Sequence, residues 1–334
     1  MKFLKGVDAI DRQKWEKLLD ESKYSSPFQS PAFVNVINSS SEFSSDVYAV
    51  ESDGELKALC VIIFKKKKGL KSWFSKRIAY GGPLIGNIAP DELTAFLKAI
   101  ESDQKKGATY LEFKNYFDYS SYKDQFLDAG WSYLPYVNVQ IRLVGKDMAG
   151  LLAEIKPNRR REISYSEKEG AEVRMLASEE ELSQLYEILK DFYSQINVAL
   201  PHYDYFQGFF HSPLSKMFGV YHKGKIIGGS VCHFYPGKSI YTQYYCRKKD
   251  CNNRIYPTHL AIKAAMEFGL RHNLQAVDLM GAGMGDSYKG IRNYKKQFGA
   301  VDENGRYFKV LRPVLFHLRR IAVDNLGKLK KMTR

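Results

Sequence analysis

One pattern of elements is written twice along this chain, and that duplication limits the folds open to it more than any other feature. The run Val47 to Phe64 reads as a strand, a tight Asp53-Gly54 turn and a second strand. The run Met217 to Phe234 repeats the design with Lys223-Gly224 at the turn. Apolar stretches joined by such dipeptides are the signature of a β-hairpin. The first hairpin is followed by a strand at Ile78–Pro83, a helix from Asp91 to about Gln104 and a strand at Thr109–Phe113. The second is followed by a strand at Ile240–Tyr245, a helix from about Pro257 to His272 and a strand at Ala276–Met280. The two copies are offset by about 170 residues, with the drift that loop-length variation produces.

A leading helix precedes each hairpin. Asp11–Glu21 places Trp15, Leu18 and Leu19 on one face, and Ser178–Gln195 carries a stripe of Leu182, Leu185, Ile188, Leu189 and Phe192. Both stripes have the spacing of core packing. The expected class is mixed α/β, with two tandem domains, each a mostly antiparallel mixed sheet flanked by helices. The expected spans are 1–148, 149–312 and a basic amphipathic helix at 313–334. With 334 residues and 44% hydrophobic content, the chain can bury two cores.

Charge narrows the partners. The chain has 51 basic and 37 acidic residues, a formal net charge of +14, which raises the local concentration of polyanions such as tRNA or anionic lipid. The terminal segment places Leu315, Leu318, Ile321, Ala322 and Leu326 on one face among Arg319, Arg320, Lys328, Lys330 and Lys331. That pattern suits either a helix docked on its own domain or one lying on an anionic membrane. Met1–Ile10 has no continuous apolar run, and no stretch is long enough to span a bilayer. The expected location is the cytoplasm, with peripheral membrane contact through the terminal helix as an open alternative. Cys60, Cys232, Cys246 and Cys251 form neither a disulfide framework nor a four-ligand zinc pattern, so no metal is expected.

Several motifs then accumulate in a fixed order: Ser26-Pro-Phe-Gln-Ser-Pro-Ala-Phe33, Lys156-Pro-Asn-Arg-Arg-Arg-Glu-Ile163, Leu200-Pro-His-Tyr-Asp-Tyr-Phe206, Val277-Asp-Leu-Met-Gly281, and Tyr294-Lys-Lys-Gln-Phe-Gly299. Together with the duplicated elements, the series resembles the FemABX family of peptidoglycan aminoacyltransferases, which have a tandem GNAT-like fold. The likeness is to the members without a coiled-coil arm. It implies aminoacyl-tRNA as donor, an amine of a cell-wall precursor as acceptor, and no bound cofactor. It also implies that Lys295 stabilises the transition state, with Tyr294 beside it.

The residues permit a reading of their own. Acyl transfer to an amine develops an oxyanion, which a fixed cation stabilises. Lys295 and Tyr294 are the catalytic candidates because the resemblance places them there; by themselves they are part of a Tyr-Lys-Lys-Gln run that a solvated face would equally explain. Arg159, Arg160 and Arg161 have the guanidinium chemistry for phosphates, although consecutive helical residues point in different directions. Gly281 and Gly283 let backbone approach a ligand closely. Tyr203, Tyr244, Tyr245 and Tyr256 complete the substrate-binding candidates, with strand alternation placing Tyr241 and Tyr245 on one face and Tyr244 on the other. Asp278 is a candidate base or a hydrogen-bonded structural group.

One junction bears on the donor. Acetyl-CoA-dependent GNAT enzymes hold pyrophosphate on a glycine-rich turn between strand and helix. Here that stretch is Arg247-Lys-Lys-Asp-Cys-Asn-Asn-Arg-Ile-Tyr-Pro257, without glycine, and the first copy has Tyr80-Gly-Gly-Pro83. Two alternatives stay open beside aminoacyl transfer. One is an N-acyltransferase with an acyl-CoA or acyl-carrier donor in envelope or polysaccharide synthesis; the other is a non-catalytic module binding RNA or anionic lipid.

Overall fold

The computed structural model describes residues 1–66, 75–318 and 321. Its strands and α-helices, in chain order, are β1 (Lys2–Lys5), α1 (Arg12–Glu21), α2 (Pro31–Ser39), β2 (Phe43–Ser52), β3 (Glu55–Lys65), β4 (Lys76–Gly81), β5 (Leu84–Ile85), α3 (Pro90–Gln104), β6 (Tyr110–Asn115), α4 (Lys123–Asp128), β7 (Ser132–Leu134), β8 (Val137–Arg142), α5 (Met148–Glu154), α6 (Pro157–Lys168), β9 (Ala171–Met175), α7 (Glu179–Gln195), α8 (Tyr203–Phe210), β10 (Ser215–His222), β11 (Lys225–Phe234), β12 (Ser239–Arg247), α9 (Pro257–Arg271), β13 (Ala276–Gly281), α10 (Lys289–Lys295), β14 (Ala300–Glu303) and β15 (Arg306–Val310). The basic helix expected at 313–334 falls largely outside the described residues.

The chain divides into two units. One comprises residues 1–38, 42–135 and 304–334; the other comprises 39–41 and 136–303. The first contains the sheet β1-β2-β3-β4-β6-β15-β7, and the second contains β14-β8-β13-β12-β11-β10-β9. The expected duplication is present element for element: hairpin β2–β3 matches β10–β11, β4 matches β12, α3 matches α9, and β6 matches β13. Each sheet is antiparallel except at one seam, β4 with β6 and β12 with β13.

One strand differs from the sequence reading in its allegiance. The expected first span, 1–148, includes Val137–Arg142, but this strand pairs with β13 and β14 in the second sheet. In the first sheet the corresponding place beside β6 is taken by β15, from the far end of the chain. Both strands have the same short alternating pattern, and local pattern does not specify which sheet receives a strand.

Each unit has its own core. In the first, Leu93, Phe96, Leu97 and Ile100 of α3 pack on Leu111 and Phe113 of β6 together with Trp131 and Tyr307. In the second, α9 is buried along much of its length against Val139 and Ile141 of β8, Val277 and Leu279 of β13, and Cys232 and Phe234 of β11. Fully burying a side chain of this size contributes about 2 kcal/mol, so these helices are fixed platforms for what projects from their ends. The leading helices begin as the sequence predicts. The Asp11 side chain accepts from Lys14 N and that of Ser178 from Glu181 N, satisfying first-turn amides.

Candidate functional site

In the second unit the parallel seam opens. Strands β12 and β13 pair only through Ser239–Ala276, Ile240–Val277 and Tyr241–Asp278. Each strand carries an irregularity just beyond that point. Gln243 is an extra residue on β12, because Val231 faces Tyr244 while the next residue, Cys232, faces Thr242. On β13 the register with β8 shifts between Asp278 and Gly281, and Met280 sits at φ +65°. Bulges bend a strand and end its pairing, so two of them at the same level part the strands into a wedge. The Thr242 hydroxyl donates to Asp278 O at 3.3 Å and closes its base.

Lys295, the last residue of α10, fills this wedge from the β13 side and is 4% exposed. Its Nζ donates to Leu279 O at 2.5 Å and Gly281 O at 3.0 Å, with Met280 O at 3.5 Å. The ring of Tyr245, on β12, has its centroid 6.0 Å away. Burial pushes the Lys295 ammonium down to about 8, against the opposing pull of Asp278. Three donors face two good acceptors and one at the limit of hydrogen bonding. Two short N–H bonds therefore anchor the cation, and the third, to Met280 O, is long.

Asp278 shapes that anchor. It is fully buried, and burial pushes its carboxyl up to about 6 although Gln140 and the Met280 amide hold the charged form. Gln140 Nε2 donates to Oδ2 at 3.0 Å and Met280 N donates to Oδ1 at 2.6 Å. The second bond stabilises the left-handed turn at Met280, which aims successive carbonyls at Lys295. Asp278 is thus both a buried acid and the clasp of the bulge.

Beside the wedge lies an aromatic and polar cluster at the start of α9. Tyr256 and His259 stack at 5.3 Å with an interplanar angle of 2°, and His259 stacks on Tyr294 at 5.7 Å. The Tyr294 hydroxyl and His259 Nδ1 are buried with no hydrogen-bond partner among the described residues. Burial, then the charges of Arg159 and Arg247, push His259 down to about 3, so its ring is neutral and its 3.4 Å approach to Glu162 is not an ion pair. Orphaned buried polar atoms are costly. Here two such atoms sit on stacked rings, one of them on the residue next to Lys295.

The remaining candidates separate. Arg159 joins the cluster, with Nε donating to Gln297 Oε1 at 2.7 Å and Nη1 to Glu162. Arg160 turns back to the last carbonyls of α5, Leu152 O and Ala153 O at 3.5 Å each, and Arg161 pairs with Asn158 at the surface. Tyr203 lies at the start of α8, donating to Glu179 O at 3.3 Å and packing on Tyr186. Tyr244 packs with Tyr193 and Phe206. The Gln243 bulge puts Gln243 and Tyr244 both against Tyr205, so plain alternation does not carry through from Tyr241 to Tyr245. Gly283, at φ +63°, leaves a Cβ only 2.2 Å from the Tyr288 ring, and a Cβ on Gly281 falls 2.4 Å from Tyr136. Packing excludes a side chain at both positions, and at Gly283 the left-handed turn does so as well.

Sequence reasoning passed over His259, Glu162 and Arg292. Arg292 Nη1 donates to Gly283 O at 2.9 Å, clipping the glycine loop to α10. Its signal was an arginine one turn before Lys295 and behind a glycine run; His259 had only its place at a helix start. Among the described residues no group of three His, Cys, Asp or Glu side chains is placed to hold a metal, and no helix is long and apolar enough to cross a membrane.

No protein-family model and no curated protein sequence matches the chain. Solved structures do. The crystal structure of FemX superposes with a TM-score of 0.74 at 14% identity, covering 95% of this chain and 99% of that one. L-PGS from Bacillus licheniformis gives 0.59 at 15% identity, covering 93% and 96%. A tandem GNAT protein from the clavulanic acid biosynthesis pathway gives 0.56 at 14% identity, covering 93% and 98%. The chain therefore has the tandem GNAT-like fold, and it is similar in structure to FemX over nearly its whole length.

Proposed function

We propose that this chain is an aminoacyltransferase that moves an amino acid from aminoacyl-tRNA to an amine of a cell-wall precursor. The observation that carries this reading is the opened β12–β13 seam, with a buried cation at its floor. An amine attacks the donor's ester carbonyl, a C–N bond forms, and the carbonyl oxygen becomes an oxyanion. The ester C–O bond then breaks, and the proton lost by the amine ends on the leaving oxygen. Lys295 supplies fixed positive charge to the oxyanion through its loosely held N–H, in a water-poor setting where such charge counts most. Tyr294 and His259 offer unsatisfied polar atoms to the donor, and Tyr245 and Tyr256 form apolar walls.

The donor choice rests on the β12–α9 junction. From Arg247 to Pro257 it has no glycine to expose amides to a pyrophosphate, and it carries Arg247, Lys248, Lys249 and Arg254. The net charge of +14 favours a polyanionic donor. The acceptor is assigned by likeness to FemX.

A second reading, N-acyl transfer from an acyl-CoA, is kept by the likeness to the tandem GNAT protein from the clavulanic acid biosynthesis pathway, a structure described as without AcCoA. Binding of the full chain to aminoacyl-tRNA, uncharged tRNA and acetyl-CoA separates the two. Preference for charged tRNA that weakens in Lys295→Ala supports the proposal. Saturable acetyl-CoA binding without that preference overturns it.

A further inference from the structure

The first unit carries a charge arrangement that acyl transfer in the second leaves unused. On β6, Tyr110, Glu112 and Lys114 alternate with Leu111 and Phe113, whose side chains are in the core. The face bearing Glu112 and Lys114 is crossed by a row of directly opposed residues on three strands: Tyr80 on β4, Lys114 on β6 and Arg306 on β15. A neighbouring row is Ile78, Glu112 and Phe308, and the next is Lys76, Tyr110 and Val310. Lys114 and Arg306 are thus like charges directly opposite each other on an antiparallel pair, an arrangement that destabilises a sheet.

One carboxylate serves three cations. Lys76 Nζ lies 2.7 Å from Glu112 Oε2, and Arg306 Nη1 pairs with Oε1, so both oxygens are taken. Burial opposes ionisation of Glu112, yet Lys76, Lys114 and Arg306 together hold it down to about 2. Lys114 is left without a hydrogen bond or ion pair among the described residues, its ammonium 5.1 Å from the centroid of Tyr80. It is half-buried. Burial, partly offset by Glu112 and reinforced by Lys76 and Arg306, pushes it down to about 7. With Lys114 protonated, the cluster carries two uncompensated positive charges, which are costly to keep partly out of water.

We propose that Lys76, Lys114 and Arg306, on the face of the first sheet that bears Glu112, form a binding site for a phosphate-type dianion. A dianion balances the two surplus charges. Arg306 supplies planar donors, Lys114 a free ammonium, and Lys76 a third cation already anchored on Glu112. Tyr80 and Tyr110 wall the site. Lys114 and Tyr80 stand near the carboxyl ends of the parallel strands β6 and β4, the end of a parallel seam where ligands commonly bind. The site does not depend on which donor the second unit uses.

Calorimetric titration of the full chain with inorganic pyrophosphate at low salt tests this. Wild type is expected to bind at one site. Lys114→Met is expected to weaken binding at least about tenfold, Lys114→Arg to stay within about threefold, and Lys225→Met, an exposed charge control in the second unit, to match wild type. Because an anion raises the proton affinity of Lys114, wild type should take up more protons on binding at about pH 8 than Lys114→Arg, whose guanidinium is always charged. Titration in buffers of different ionisation enthalpy reads that difference. Absence of pyrophosphate binding by wild type, wild-type affinity in Lys114→Met, or equal proton uptake by wild type and Lys114→Arg overturns the site.

Discussion

The two parallel seams start from the same order of elements and end differently. In the first unit β4 and β6 stay paired along their whole length, from Lys76–Tyr110 to Gly81–Asn115. In the second, β12 and β13 separate after three pairs. The closed seam is finished with structural hydrogen bonds. Gln29 Nε2 donates to Gly82 O at 3.0 Å, and the Tyr119 hydroxyl lies 2.8 and 2.7 Å from Gly81 O and Pro83 O. The open seam is finished with Lys295, Asp278 and two orphaned polar atoms. The same order of elements thus yields a closed seam in one copy and an open one in the other, and the local device that separates them is a pair of bulges.

The largest effect expected from that contrast is at the open seam. Lys295→Met should lower kcat/KM for acyl transfer by about 100-fold or more, the range for removing a principal oxyanion stabiliser. A tenfold or smaller loss would mean that the cation holds the bulge and little else. The pH profile sharpens the point. Activity should rise as pH passes about 6, where Asp278 ionises and grips the Met280 amide, and fall above about 8, where the Lys295 ammonium loses its proton. Asp278→Asn should flatten the acid limb, and Lys295→Arg should move the alkaline limb outward. Stability carries an independent sign. The Asp278 carboxyl binds its proton more tightly in the folded chain than in the unfolded one. Its contribution is therefore fully present below about pH 4 and lost as pH rises through about 6.

Much of this contrast could be read from the sequence, and its deciding step could not. Hairpins, helices and strands were legible because hydrophobic period and turn dipeptides are local signals, and the Tyr294-Lys295 pair was legible as a motif. The exchange of β8 and β15 between sheets was hidden, because a strand's partner is chosen by long-range packing. So was the Gln243 bulge, which needs the facing residues Val231 and Cys232 to be seen. Arg159, Arg160 and Arg161 look equivalent in a row; only helix direction and the carbonyls of α5 distinguish them. His259 is one of seven histidines with no motif around it, and only the fold shows its Nδ1 buried without a hydrogen-bond partner among the described residues.

The closed seam offers the next effect. Tyr119→Phe removes the hydroxyl shared by Gly81 O and Pro83 O, leaving buried carbonyls short of a donor, and should cost about 1–2 kcal/mol of stability. Denaturant unfolding measures it. Transfer activity at a temperature well below the transition should be unchanged, since the proposed transfer site lies in the second unit. A loss of activity larger than the loss of folded protein would break the division between the two seams.

The smallest effect is the most discriminating. His259→Phe keeps the stack on Tyr256 and Tyr294 while removing a buried nitrogen that has no partner. If that nitrogen only burdens the fold, the variant should gain about 1 kcal/mol in stability with activity unaltered. If the cluster is shaped for a ligand, the same gain should come with weaker donor binding, seen as a raised KM for the donor and a kcat close to wild type. A stabilised protein that binds its donor poorly would show that the wedge spends folding free energy on recognition, as active sites commonly do. The matching change in the first unit, Tyr119→Phe, moves in the opposite direction, with stability lost and activity kept. Measured together, the two variants decide whether open and closed seams differ in purpose or only in shape.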